Sequence, residues 1–175
     1  MSDPHLSAIT FDENGWAVGL VEPLARERAF TLFSAEASAA IDGSAIAARA
    51  SEHGARLSLD PPKRYRSGTP LADAAWVIVA TAAAEARVLV VTVPVERARA
   101  IAAEALSVAE TRGGGGMDAL VRRARRIWQV DVEGDLGAAT AVAAALSSVR
   151  SAAIFPPDGG PLFGPRTAWE RRHPS

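Results

Sequence analysis

The stretch AAWVIVATAAAEARVLVVTV, residues 74–93, decides the fold class. A membrane-spanning helix needs about 20 apolar residues, so on length alone this stretch qualifies. Glu85 and Arg87 stand near its middle, where a charge costs roughly 2.5–3.5 kcal/mol to insert. Val77, Ile78 and Val79, and later Val88, Val90, Val91 and Val93, are β-branched. Two heavy atoms on Cβ restrict χ1 in a way that suits a strand better than a helix. The stretch therefore reads as two strands, about Trp76–Thr81 and Arg87–Val93, joined by residues 82–86. Their near-continuous apolar character makes them the expected central pair of a sheet.

Working back toward the N-terminus, Asp60 to Pro70 carries Pro61, Pro62 and Pro70 and reads as a loop, because proline removes a donor and fixes φ. Ala55–Leu59 reads as a strand. Ser44 is placed to cap a helix over Ala45–His53, with Gly54 as its stop. In Leu24–Ser34, Leu24, Arg28 and Leu32 fall at helical spacing, which favours a helix, although Ala29–Phe33 also suits a strand. Ala8–Asp12 and Trp16–Val21 flank Asn14-Gly15, a hairpin signal because both turn residues tolerate positive φ.

Working forward, Pro94 opens a helix from Val95 to about Glu110. Its apolar stripe is Ala98, Ile101, Ala102, Ala105, Leu106 and Ala109. Gly113–Gly116 ends it, and a second helix is expected from Met117 to about Ile127. Gln129–Glu133 alternates around Val130 and Val132 and reads as a strand. Asp135 caps a last helix to about Val149. Hairpins and paired helices outnumber βαβ units, so the fold class is α+β: a largely antiparallel sheet of about five to six strands packed against helices. Residues 1–150 form the domain. Residues 151–175 form an extended Pro/Gly-rich tail that docks on the domain or on a partner.

Composition supports a globular chain and removes several functions. The 175 residues are 49% hydrophobic, with a net charge of −1 and no cysteine. That leaves no thiolate for disulfides, zinc ribbons or a cysteine nucleophile. Alanine supplies 38 residues, and lysine occurs once, at Lys63, against 18 arginines. This skew points to a GC-rich bacterial genome more than to a function. Met1–His5 lacks a basic run followed by an apolar core, so a soluble, cytoplasmic protein is expected. The balanced charge weighs against a nucleic-acid groove.

Several clusters invite a site. Gly114, Gly115 and Gly116 precede the Met117 helix, where open backbone N–H groups favour an anion. Neither a preceding strand nor a following Gly-Lys-Ser/Thr is present, so the phosphate-loop motifs fail and a hinge between helices is the simpler reading. Arg122, Arg123, Arg125 and Arg126 would form a basic helix face, with Arg122 and Arg126 aligned at i, i+4. A solvated face tied to nearby carboxylates is the plainer alternative. Tyr65 lies inside the basic run Lys63–Arg66 on the proline-bounded loop. Asp131, Glu133 and Asp135 alternate as a half-buried strand would, and no metal site is assigned to them. The histidines, His5, His53 and His173, are far apart in sequence; His53 suits the helix C-terminus as a dipole partner. Phe155, Leu162, Phe163 and Trp169 punctuate the tail as apolar anchors.

Together these features favour a protein-interaction module acting without catalysis, through the arginine-rich helix (Arg123, Arg125), Tyr65 and the tail anchors, with a protein partner or a second copy of the chain. The alternative is a small enzyme or ligand-binding domain that holds a phosphorylated metabolite or nucleotide between the glycine run and Arg122 and Arg126. No cofactor is called for.

Overall fold

The computed structural model describes residues 10–11, 17–18, 23–36, 43–60, 74–81 and 84–172. Its centre is a six-stranded, wholly antiparallel sheet. The strands are β3 (Ala29–Ser34), β4 (Arg56–Asp60), β5 (Ala74–Ala80), β6 (Glu85–Val93), β7 (Arg126–Asp131) and β8 (Ala153–Phe155), in the order β4-β5-β6-β7-β3-β8. Thr10–Phe11 (β1) and Ala17–Val18 (β2) pair separately as a short antiparallel ribbon. The Asn14-Gly15 turn expected between them lies outside the described residues. Five α-helices are described: α1 (Gly43–Glu52), α2 (Arg99–Arg112), α3 (Asp118–Arg122), α4 (Leu136–Arg150) and α5 (Pro165–Arg172). The α+β reading with an antiparallel sheet of six strands is therefore correct. No helix of the described residues is long and apolar enough to cross a membrane.

Helices cover both faces of the sheet, and strand alternation divides the core accordingly. Leu32, Leu57, Leu59, Val77, Val88, Val90, Trp128, Val130 and Ile154 pack with Ile46 and Ala50 of α1, the buried alanines of α4, and Trp169 of α5. Phe33, Leu89, Val91, Val93, Ile127 and Phe155 pack with Ala105 and Ala109 of α2 and Val121 of α3. The stripe expected for α2 is the side that packs: Ala98, Ala105 and Ala109 are buried, with Ile101, Ala102 and Leu106 against them. Asp135 caps α4 as expected, its side chain accepting from Ala138 N–H at 2.9 Å. Helix α1 starts one residue before the anticipated cap, and Gly54, at φ +72°, turns the chain into β4.

Four expectations need correction. Residues 29–34 are a strand, not a helix; only Arg26–Arg28 make a helical turn. β3 lies between β7 and β8, and all six residues are buried, a setting that rewards a continuous apolar run over a one-sided stripe. The helix expected to reach Ile127 stops at Arg122, and β7 begins at Arg126. Ile127, Trp128 and Val130 fill the middle of the sheet, where aromatic and β-branched side chains fit best. The central pair is β6 and β7, with β5 displaced one place outward.

The fourth correction concerns the C-terminal segment. It is not wholly extended: β8 pairs with β3, and Pro165 opens α5, proline being well suited to the first helical position. Ile154 and Phe163 exchange two backbone hydrogen bonds of 2.9 and 3.1 Å. Arg26 donates to the carbonyl of Pro157 and pairs with Glu104 of α2 at 3.0 Å, which ties the loop after β8 to the α2 face.

Candidate functional site

The C-terminal ends of α1 and α4 and the length of α5 enclose an open groove of about 560 Å³. It is lined by Arg49, His53, Ser148, Pro165, Arg166, Trp169 and Glu170. Helical spacing sets these positions. Arg49 and His53 are four residues apart at the end of α1, and Arg166, Trp169 and Glu170 share a side of α5 at i, i+3 and i+4.

An aromatic stack forms the floor. The His53 and Trp169 rings lie 4.2 Å apart and within 10° of parallel. Trp169 is nearly buried, and its indole N–H donates to Ser148 Oγ at 3.3 Å. Ser148 in turn donates to the Ala144 carbonyl at 2.8 Å. Arg172 donates to the His53 carbonyl at 3.1 Å and lies over the Trp169 ring at 5.9 Å. The corner between α1 and β4 is thereby fixed to α5 by one hydrogen bond and one ring stack.

The walls carry charge that is held only loosely. Arg49 pairs with Glu52 at 2.8 Å and Arg166 with Glu170 at 3.2 Å, each on its own helix. The Arg166 and Glu170 side chains are 92% and 61% exposed. Exposed pairs of this kind are worth about 0–1 kcal/mol. Either guanidinium can therefore exchange its carboxylate for one on a ligand at little cost. A second depression, of about 470 Å³, lies beyond the same corner and is lined by residues including Arg56, Thr81, Asp135 and Arg172. Asp135 occupies its helix end by capping α4.

The residues singled out from sequence are dispersed. Gly115 and Gly116 adopt positive φ (+55° and +84°), and Met117 N–H donates to the Gly114 carbonyl at 2.8 Å, so the glycine run makes a tight turn between α2 and α3. A Cβ at Gly114 would meet Asp118 Oδ1 at 2.7 Å. A carboxylate thus stands against this turn, which disfavours an anion there. Arg122 faces Asp118 and Glu110 at 3.9 and 4.0 Å. Arg126 belongs to β7, so the expected i, i+4 alignment with Arg122 does not exist. Arg123 caps α3 just beyond its last residue, its Nε donating to the Ala119 carbonyl at 3.3 Å, and Arg125 extends the ladder through its N–H to the Ser34 carbonyl at 2.8 Å. Tyr65 lies outside the described residues.

Phe155, Leu162 and Phe163 are buried in the chain's own core, which takes them out of use as surface anchors. Arg171 covers the Phe163 ring at 4.0 Å. Of the sequence-stated anchors, Trp169 alone contributes to the groove. Arg49, His53, Ser148, Arg166 and Glu170 were not singled out as site residues. The readable signal was the Arg166, Trp169, Glu170 spacing behind Pro165. Comparison with protein-family models, with curated proteins and with solved structures returned no match.

Proposed function

We propose that the domain is an interaction module that seats an acidic segment of a partner protein in the groove between α1 and α5. One observation carries this reading. A stacked His53–Trp169 plate is flanked by two arginines whose carboxylate partners, among the described residues, are exposed neighbours on the same helix. An extended peptide can lay an apolar side chain on the plate and offer carboxylates to Arg49 and Arg166. The buried polar groups of the interior fit a scaffold role, because they hold structure together. Gln129 bonds Leu24, Ser147 bonds the Ala152 carbonyl, and Asp131 pairs with Arg28.

Selection from a random peptide display library on the intact chain tests the proposal. Recovered sequences should be enriched in Asp and Glu around one apolar or aromatic residue. Their affinity should fall at least about tenfold for R49E and R166E, and should weaken with salt. These side chains are exposed, so both variants should fold. Peptides without acidic enrichment, or peptides that bind the two variants as tightly as the parent, would refute it.

A further inference from the structure

β4 is the end strand of the sheet, and no described strand pairs with its outer side. The opposite end is closed by the Ile154–Phe163 bridge. An open edge offers a row of backbone N–H and C=O groups that can recruit another strand, and proteins commonly blunt it with charge or proline. β4, Arg56-Leu57-Ser58-Leu59-Asp60, carries charge only at its two ends, with Pro61-Pro62 following the strand, and its five residues are complementary to themselves when run antiparallel. Pairing two copies about Ser58 sets position 56 of one opposite position 60 of the other, Arg against Asp, twice. Leu57 then meets Leu59 twice, and Ser58 meets Ser58 on the axis. A slip of one residue sets charge against leucine and mixes the two faces of the sheet. A slip of two sets a charged residue against Ser58.

The surroundings suit this register. Leu57 and Leu59 are buried on the side packed by Ile46 and Ala50 of α1, so opposing leucines would continue one apolar layer across the junction. Arg56 and Ser58 are exposed. Helix α1 packs on β4 and on α4, above the sheet rather than beyond its edge. We infer that the chain forms a two-fold symmetric dimer in which β4 pairs antiparallel with β4 of a second copy, joining the two sheets into one. Such an interface is isologous, and self-complementarity is what that symmetry requires. It would add about four to six backbone hydrogen bonds to the side-chain pairs. The dimer is independent of the groove and does not rest on the function proposed for it.

Sedimentation of the full chain up to about 100 µM tests the inference, with circular dichroism confirming that each variant folds. The unaltered chain should dimerise. R56D and D60R should each weaken the dimer at least about tenfold, because both symmetric pairs become like-charged. An equimolar mixture of the two variants should regain the parent affinity to within about threefold, since every acid then faces an arginine. Ser58→Lys, which opposes two ammonium groups on the axis of an otherwise unaltered strand, should also weaken it, and it stands in should a charge swap prevent folding. A monomeric parent chain, a Ser58→Lys dimer as tight as the parent, or a mixture no better than its components would overturn the proposal.

Discussion

Replacing Gln129 with leucine should destabilise the domain by about 2–4 kcal/mol, and the reasoning starts from a clasp between two distant parts of the chain. Gln129 is fully buried in β7. Leu24 N–H donates to its Oε1 at 2.7 Å, and its Nε2 donates back to the Leu24 carbonyl at 2.9 Å and toward Thr31 Oγ1 at 3.4 Å. The amide thus serves Leu24 as the backbone of a neighbouring strand would. Leucine has a similar volume but leaves a buried donor and a buried acceptor without partners. Each costs about 1–3 kcal/mol, and the gain from burying an apolar side chain in place of an amide offsets part of the total. Urea unfolding should show a midpoint lower by about 1–2 M with an unchanged slope. Hydrogen exchange should find the Leu24 amide newly exposed.

Gln129→Glu separates the clasp from general packing. A neutral carboxyl offers one O–H to the Leu24 carbonyl and one C=O to its N–H, so it reproduces the clasp. A carboxylate cannot donate and is desolvated, so burial raises this side chain above the ordinary Glu value of about 4.3. Between the unfolded and folded values the native state binds more protons. The variant's stability relative to the parent therefore falls as pH rises through that window and recovers on acidification toward about pH 4. A leucine variant within about 1 kcal/mol of the parent, or a Glu variant whose deficit ignores pH, would refute the reasoning.

Arg28 donates to both oxygens of the nearly buried Asp131, at 3.3 and 2.8 Å, and reaches Glu133 at 2.8 Å. The Asp131 hydrogen bonds raise its affinity for the proton above the ordinary arginine value. Arg28→Met should cost about 2–3 kcal/mol in denaturant titration, somewhat below the value for a fully buried pair because the guanidinium retains some exposure. Truncation after Ser151 should abolish cooperative unfolding, whether read by calorimetry or by near-ultraviolet dichroism. It removes Ile154, Phe155, Leu162, Phe163 and Trp169 from the two cores, each worth about 1.5–3 kcal/mol, against a total stability of about 5–15 kcal/mol. A truncated chain that still melts cooperatively would show that the segment is an appendage.

What could be read from sequence follows from how local each determinant is. Helix α4 announced itself through Asp135, whose capping bond spans three residues, and α2 through its apolar stripe. β5 and β6 were legible because β-branched runs fit few other settings. β3 was not, since its identity rests on partners far along the chain. Phe30 and Leu32 sit opposite Val130 and Trp128, and Leu32 opposite Ile154. For residues 120–127 a helical period also existed, and it lost to the sheet's claim on Ile127 and Trp128. The groove was harder still. Its residues come from positions 49–53, 148 and 165–170, and the prolines and glycines of residues 156–165 masked the helix that Pro165 begins.

The alanine excess gains a physical role from α4. This helix touches α1, α5 and five strands of the sheet, and residues 138–147 are buried without interruption. A helix enclosed on this many sides cannot keep a polar face, and it cannot carry large side chains around its whole circumference without holding its neighbours apart. Ala138, Ala139, Ala141, Ala143, Ala144 and Ala145 satisfy both demands, leaving Val142 and Leu146 as the larger inward groups. They allow α1 and α5 to close on either side, and so bring His53 against Trp169. Small side chains at these positions thus set the width of the groove, although none of them lines it.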